Sequence, residues 1–131
     1  MILLDTHIWV WYVHNDKKLN FKLKQVLGEN FEDGLYVSII SLWEVAKLVE
    51  KGKIILPLDL ESWYINALED SNILVLDLSR EIIIKSTNLE GTFHNDPADQ
   101  IITATSITYN IPLATMDAKI INFPFVNCIK F

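Results

Sequence analysis

The stretch from Phe93 to Met116, with Asp117 behind it, constrains this chain more than any other. Asp96 stands before Pro97 at what reads as a helix start. An aspartate there accepts from the free N–H groups of the first turn. Proline at the first helical position loses no hydrogen bond and already has a helical φ. Asp99 falls at the third helical position, from which it can reach back to the cap residue in a capping-box-like arrangement. Ile101, Ile102, Ala104 and Ile107 then supply a buried helical face. Asn110 suits the left-handed cap conformation, and Pro112 blocks continuation. Pro112 to Thr115 reads as a strand ending near Asp117. One helix therefore opens with two acids, and the strand after it delivers a third.

The rest of the chain repeats this alternation. Met1–Leu4 is a short apolar run, read as a buried strand that stops at Asp5. Ile8, Trp9, Trp11, Tyr12 and Val13 continue as a short, largely buried helix. Lys17 to Glu29 places Leu19, Leu23, Val26 and Leu27 on one face and four lysines outside, a surface helix. Asp33-Gly34 makes a turn. Leu35–Ser38 is the second strand, and Ile39–Glu50 a helix capped by Ser38 or Ser41. Asp59 caps a helix running to Leu68. Ile73–Leu76 is the third strand, and Ser79 caps a helix from Arg80 to Leu89. Phe125–Ile129 closes the chain as a last strand. Strands alternating with helices predict an α/β fold with a mostly parallel, four- to five-stranded sheet and helices on both faces.

Composition narrows the options. Half of the 131 residues are apolar, enough for one sizeable core and against disorder. One domain over 1–131 is expected. Apolar runs are too short for a membrane span, which needs about 20 residues. Asp5 interrupts the first of them, so no signal peptide is expected. Cys128 is the single cysteine, which excludes an internal disulfide and points to a reducing cytoplasm. The net charge of −6 argues against broad electrostatic attachment to nucleic acid.

In such sheets ligands bind outside the carboxyl ends of the strands, where strand order reverses. Asp5 and Asp117 each end a strand, Asp99 opens a helix, and Glu44 lies about one turn into the helix after the second strand. All four can converge at that edge. Unit charges ~4 Å apart cost about 4 kcal/mol per pair at an effective dielectric of ~20. Such a site either protonates or takes up divalent cations. Carboxylate oxygens suit Mg²⁺ or Mn²⁺. An ion of that kind activates water and neutralises a phosphoryl group, the requirements of phosphodiester hydrolysis. Two ions would move the net charge from −6 to roughly −2, easing approach of a polyanion.

At these residues the chain resembles the PIN-domain nucleases, and most closely the VapC-like toxins of toxin–antitoxin pairs. The resemblance rests on Leu3-Leu-Asp-Thr-His, Ser41-Leu-Trp-Glu-Val-Ala, His94-Asn-Asp-Pro-Ala-Asp and Ala114-Thr-Met-Asp, in that order over the full length. It implies a three-layer α/β/α fold and an endoribonuclease using Mg²⁺ or Mn²⁺. It also implies a cognate antitoxin partner and a homodimer. The acids it implies are Asp5, Glu44, Asp99 and Asp117. Two positions depart from the pattern: Asn95 and Gln100 stand where relatives often carry arginine. Two cations that would contact phosphate, the antitoxin or the acids are missing, while the metal-ligand set remains. A non-catalytic PIN-like interaction module and a housekeeping RNA-processing nuclease are the alternatives within the resemblance. A phosphate-receiving signalling domain is the rival outside it. Asp77 follows the third strand as such a domain needs, but Asp5 is followed by Thr6 and His7, not by a second acid.

Each site residue also has a plainer reading. Asp5 can cap the first helix, Glu44 can pair with Lys47, Asp99 can serve only the cap, and Asp117 can be a turn residue. Asp96 reads first as the N-cap, with a supporting role at the site second. Thr6 and Thr115 can orient a water or ligand, or make local backbone bonds. His94 reads as a loop histidine ahead of a base or phosphate contact, and His7 as packed in its helix ahead of a ligand. Lys47, Lys51 and Lys53 form a basic cluster near the proposed cleft, read as a solvated helix end ahead of an RNA contact. Trp9, Trp11, Trp43 and Trp63 read as core or dimer contacts ahead of base-stacking platforms.

Overall fold

In the computed structural model, which describes residues 1–131, β1 (Ile2–Leu4) is buried along its whole length. Its pleat sends alternate side chains to opposite faces. Ile2 and Leu4 enter a large core with Trp9, Leu23, Leu27, Val45 and Trp63. Leu3 enters a smaller one with Ile102, Ile111, Leu113 and Ile120. The sheet is therefore covered on both faces, the three-layer α/β/α arrangement expected. No helix is long and apolar enough to cross a membrane.

Local chemistry sets the elements. Asp5 caps α1 (Thr6–His14), which ends on Asn15 in the left-handed conformation at φ 53°. Asn20 caps α2 (Phe21–Glu29) by accepting from Lys22 and Leu23. The helix expected from Lys17 thus begins later, because the Asp16 carboxylate holds Lys18 N in a turn. Gly34, at φ +106°, leads into β2 (Leu35–Ser38), where a Cβ would lie 2.9 Å from the Tyr36 ring. Ser38, not Ser41, caps α3 (Ile39–Glu50). Ser41 instead meets Thr6 Oγ1 at 2.8 Å.

The helix capped by Asp59 is regular over α4 (Leu60–Tyr64) and widens to a π-helix over Ile65–Asp70. Within that segment Trp9 Nε1 donates to the Ala67 carbonyl at 3.0 Å, and an inserted donor of this kind loosens the helical ladder. After β3 (Ile73–Leu76) comes α5 (Arg80–Ser86), shorter than expected. Ser86 and Thr87 donate back to the carbonyls of Ile83 and Ile84 and close it. Asp96 caps α6 (Pro97–Tyr109), which ends on left-handed Asn110 as the sequence predicts. β4 (Leu113–Ala114) is only two residues long, and Asp117 caps a further short helix, α7 (Ala118–Ile121), that the sequence reading lacked.

The four strands run parallel in the order β3-β2-β1-β4. The expected fifth strand, Phe125–Ile129, is reduced to one bridge between Leu113 and Cys128. Its neighbour β4 offers too little length for a ladder, and Pro124 has no N–H to give. Strand order reverses between β1 and β4, so a crevice opens there at the carboxyl ends of both.

Candidate metal centre

That crevice is a cleft of about 520 Å³, lined among others by Asp5, Glu44, Asp96, Asp99 and Asp117. Each acid arrives by a different route. Asp5 ends β1, Asp117 follows β4 by three residues, Asp96 and Asp99 open α6, and Glu44 projects from α3. Asp77, on which the signalling reading depended, is not among the lining residues.

Asp99 is the common member of two groups whose ligand atoms come together. Ligand atoms of Glu44, Asp96 and Asp99 lie within 4.8 Å of one another, and so do those of His94, Asp99 and Asp117. Asp5 belongs to neither triad, although it lines the same cleft. Both its oxygens are held by the chain. Oδ1 accepts from Thr6 N at 2.9 Å and Oδ2 from Thr115 Oγ1 at 2.7 Å. Thr115 Oγ1 also accepts from Asp117 N at 3.1 Å, so one hydroxyl ties two acids together. Replacing Thr115 by valine removes both bonds at nearly constant volume. Metal affinity, measured by calorimetry, is expected to fall about 10- to 100-fold with the fold retained.

Several plainer readings fail here. Lys47 pairs with Glu50 at 3.1 Å, not with Glu44. The capping box is half formed: Asp99 N donates to Asp96 Oδ1 at 3.0 Å, but no bond returns from the Asp99 carboxylate. That carboxylate faces His94 instead, with Nε2 and Oδ2 3.2 Å apart. His94 is thus part of the site, the role that the sequence ranked behind a plain loop residue. The signal available was its place two residues before the cap: Asp96 N reaches its Nδ1 at 3.4 Å. Gln100, one of the two departures from the arginine pattern, donates to the His94 carbonyl at 3.0 Å and holds that loop. Lys119 also lines the cleft, a cation the sequence reading did not assign. Asp117 is both acid and cap, since its Oδ1 accepts from Lys119 N at 2.9 Å.

The electrostatics follow from this crowding. Burial first, then the charges of Asp5, Asp96, Glu44 and Asp117, push the Asp99 carboxyl up to about 8. Burial likewise raises Asp5, against the bonds from Thr115 and Thr6. Glu44 is raised by burial and then by Asp5 and Asp96. Glu44 Oε1 is buried without a hydrogen-bond partner, and His94 Nε2 is buried with only the Asp99 carboxylate beside it. A buried polar atom left without a partner costs about 1–3 kcal/mol unless a ligand satisfies it. Crowded carboxylates that resist ionisation, beside a buried oxygen with no partner, fit a divalent cation with oxygen ligands.

The sign of the pH effect is fixed by the direction of these shifts. Acids whose folded-state pKa is raised stabilise the fold fully below their ordinary pKa. They lose that contribution as pH rises towards the folded value. The metal-free protein is therefore expected to melt progressively lower as pH rises from about 4 to about 8. Millimolar Mg²⁺ should reverse the loss at the alkaline end. A melting temperature independent of both pH and Mg²⁺ would contradict this.

Comparison with known proteins agrees with the fold. A family model described as PIN domain matches residues 2–126. Ribonuclease VapC22 of Mycobacterium tuberculosis is 29% identical over 119 residues, covering 91% of this chain and 88% of that protein. Among solved structures, VapBC2 from Rickettsia felis bound to a promoter DNA fragment aligns with a TM-score of 0.70 at 20% identity, covering 98% of each chain. FitAcB from Neisseria gonorrhoeae aligns with a TM-score of 0.69 at 20% identity, covering 99% of this chain and 97% of that one.

Proposed function

The chain belongs to the PIN domain family, and from that premise we propose that it is a metal-dependent endoribonuclease, the toxin of a toxin–antitoxin pair. The observation that supports this best is the meeting of five acids from four parts of the chain in one cleft at the sheet's switch point. Asp5, Asp99 and Asp117 hold Mg²⁺ or Mn²⁺ in this reading, and Glu44 ligates or orients the attacking water. When bound, such an ion neutralises phosphate charge and lowers the pKa of water.

The chain's own residues do the rest. Asp99, whose carboxyl is pushed up to about 8 by burial and the neighbouring acids, would have to give up its proton for an ion to be held there. Thr115 fixes the Asp5 carboxylate and the backbone of Asp117 together. His94 stands against Asp99 and keeps that side chain turned into the cleft. Lys119, on the cleft wall, offers the cation that Asn95 and Gln100 do not. Glu44 positions water in line with the scissile bond, which leaves a 5′-phosphate and a 3′-hydroxyl.

The name of the relative Ribonuclease VapC22 supports RNA as substrate, and a solved toxin–antitoxin complex from Klebsiella pneumoniae, similar in fold with a TM-score of 0.61 at 21% identity, supports an antitoxin as partner. We propose further that residues 1–131 act as one domain, form a homodimer and work in the cytoplasm. The test is cleavage of RNA by the purified chain with Mg²⁺, Mn²⁺ or EDTA. Cleavage with either ion and none in EDTA, with 5′-phosphate ends, is the expected result. Equal activity in all three conditions ends the proposal. An inert protein that binds a cognate antitoxin tightly would favour the interaction module.

A further inference from the structure

A second groove, of about 340 Å³, opens beside the acidic cleft and shares Glu44 and Asp96 with it. Trp43, Lys47, Lys51 and Lys53 also line it. Trp43 is 54% exposed, while Trp9 and Trp63 are wholly buried, so core packing does not account for it. Lys47 Nζ sits 5.8 Å from the centre of the Trp43 ring and pairs with Glu50 at 3.1 Å. Lys51 and Lys53 have no carboxylate within ion-pair distance. In a chain of net charge −6, an exposed indole flanked by free ammonium groups borders the acids directly.

We propose that Trp43 is a base-stacking platform for single-stranded RNA, with Lys51 and Lys53 on the adjoining phosphates. The chemistry favours this occupant. An indole accepts any base face, so stacking tolerates sequence but needs an unpaired base. The lysines attract a backbone that the neighbouring carboxylates repel, which directs a strand along the groove towards the cleft. The substrate is then unpaired RNA, a loop or a single strand, with an unstacked base flanking the scissile phosphate. The direction of the strand rests on the nuclease reading above; binding in the groove does not.

Tryptophan fluorescence tests it, with full-length protein carrying Asp99→Asn to prevent cleavage. The probe is a single-stranded RNA of about eight nucleotides in Mg²⁺. Binding should quench emission, and Trp43→Phe in that background should remove most of the quench while keeping most of the affinity. Trp43→Ala should weaken binding about 5- to 100-fold. Lys51→Ala with Lys53→Ala should flatten the dependence of log affinity on log salt by roughly 1.4. A duplex of the same sequence should not quench. In the cleaving chain, Trp43→Ala should raise KM by the same factor with kcat within about threefold, and Trp43→Phe should restore it.

Unchanged affinity and KM in Trp43→Ala would overturn the proposal. So would loss of self-association in sedimentation with RNA binding intact, which would make the groove a protein interface. The two readings fail separately. Quenching through Trp43 in a chain that cleaves nothing keeps the groove and removes the nuclease. Cleavage with KM indifferent to Trp43 does the reverse.

Discussion

Asp99→Asn should abolish RNA cleavage, lowering kcat by about 10³-fold or more, while leaving the protein folded and no less stable without metal. The two halves of this expectation share one cause. Asp99 is the only acid common to both tight ligand groups, so removing its charge removes a ligand from each. Loss of one group acting on developing charge typically costs 10²–10³ in kcat, and loss of an outer-shell group about 10–100 in metal affinity. A shared ligand stands above both. The same carboxyl is pushed up to about 8 by burial and by Asp5, Asp96, Glu44 and Asp117, so without metal its charge is a burden on the fold. The amide keeps the shape and drops that burden. The backbone bond from Asp99 N to Asp96 Oδ1 survives the change, so α6 keeps its cap. Denaturation with EDTA and initial cleavage rates with Mg²⁺ read the two halves separately. A variant that cleaves within a few-fold of the parent would remove Asp99 from the reaction.

Trp63→Ala should cost about 3–5 kcal/mol of stability, the largest loss expected from a single core position. Trp63 is fully buried, its ring lies 4.9 Å from Trp9 at 60°, and its Nε1 donates to His14 Nε2 at 2.8 Å. It therefore joins α4 to α1, the helix that starts at Asp5. Truncation leaves a cavity under the first helix and strands the His14 nitrogen. Against a total of about 5–15 kcal/mol, the loss should lower the melting temperature by roughly 10–20 °C. Because Trp63 is not among the residues lining the cleft, Mg²⁺ should still raise the melting point of the variant. A fall of only a degree or two would mean that the packing between α1 and α4 carries little of the stability.

The sequence made the alternation of elements legible because its punctuation is chemical. Asp5, Ser38, Asp59, Ser79 and Asp96 all cap helices, and Asn110 ends one in the left-handed conformation. It also made the destination of Asp5 and Asp117 legible, since residues that end parallel strands gather at one edge whatever the strand order. What it left hidden depends on non-local contact. The π-helical stretch Ile65–Asp70 contains the carbonyl to which Trp9 Nε1 donates, 58 positions away in sequence. The fifth strand failed because β4 is too short, which no property of Phe125–Ile129 reveals. His94 passed as a loop residue because its partner, Asp99, looked committed to the cap. A core place for Trp43 suggested itself because apolar residues surround it in sequence, whereas the buried face of α3 belongs to Ser41 and Val45.

Mn²⁺ binding followed by paramagnetic resonance, with proton release measured in the same titration, tests the central claim most directly. At pH 7 a carboxyl with a pKa of about 8 is mostly protonated, so loading the cleft should release close to one proton per protein. Asp99→Asn should lose both the tight binding and the proton. Mn²⁺ that stays free at millimolar concentration, or binds the parent and Asp99→Asn alike without proton release, would contradict a cleft built to hold a dication.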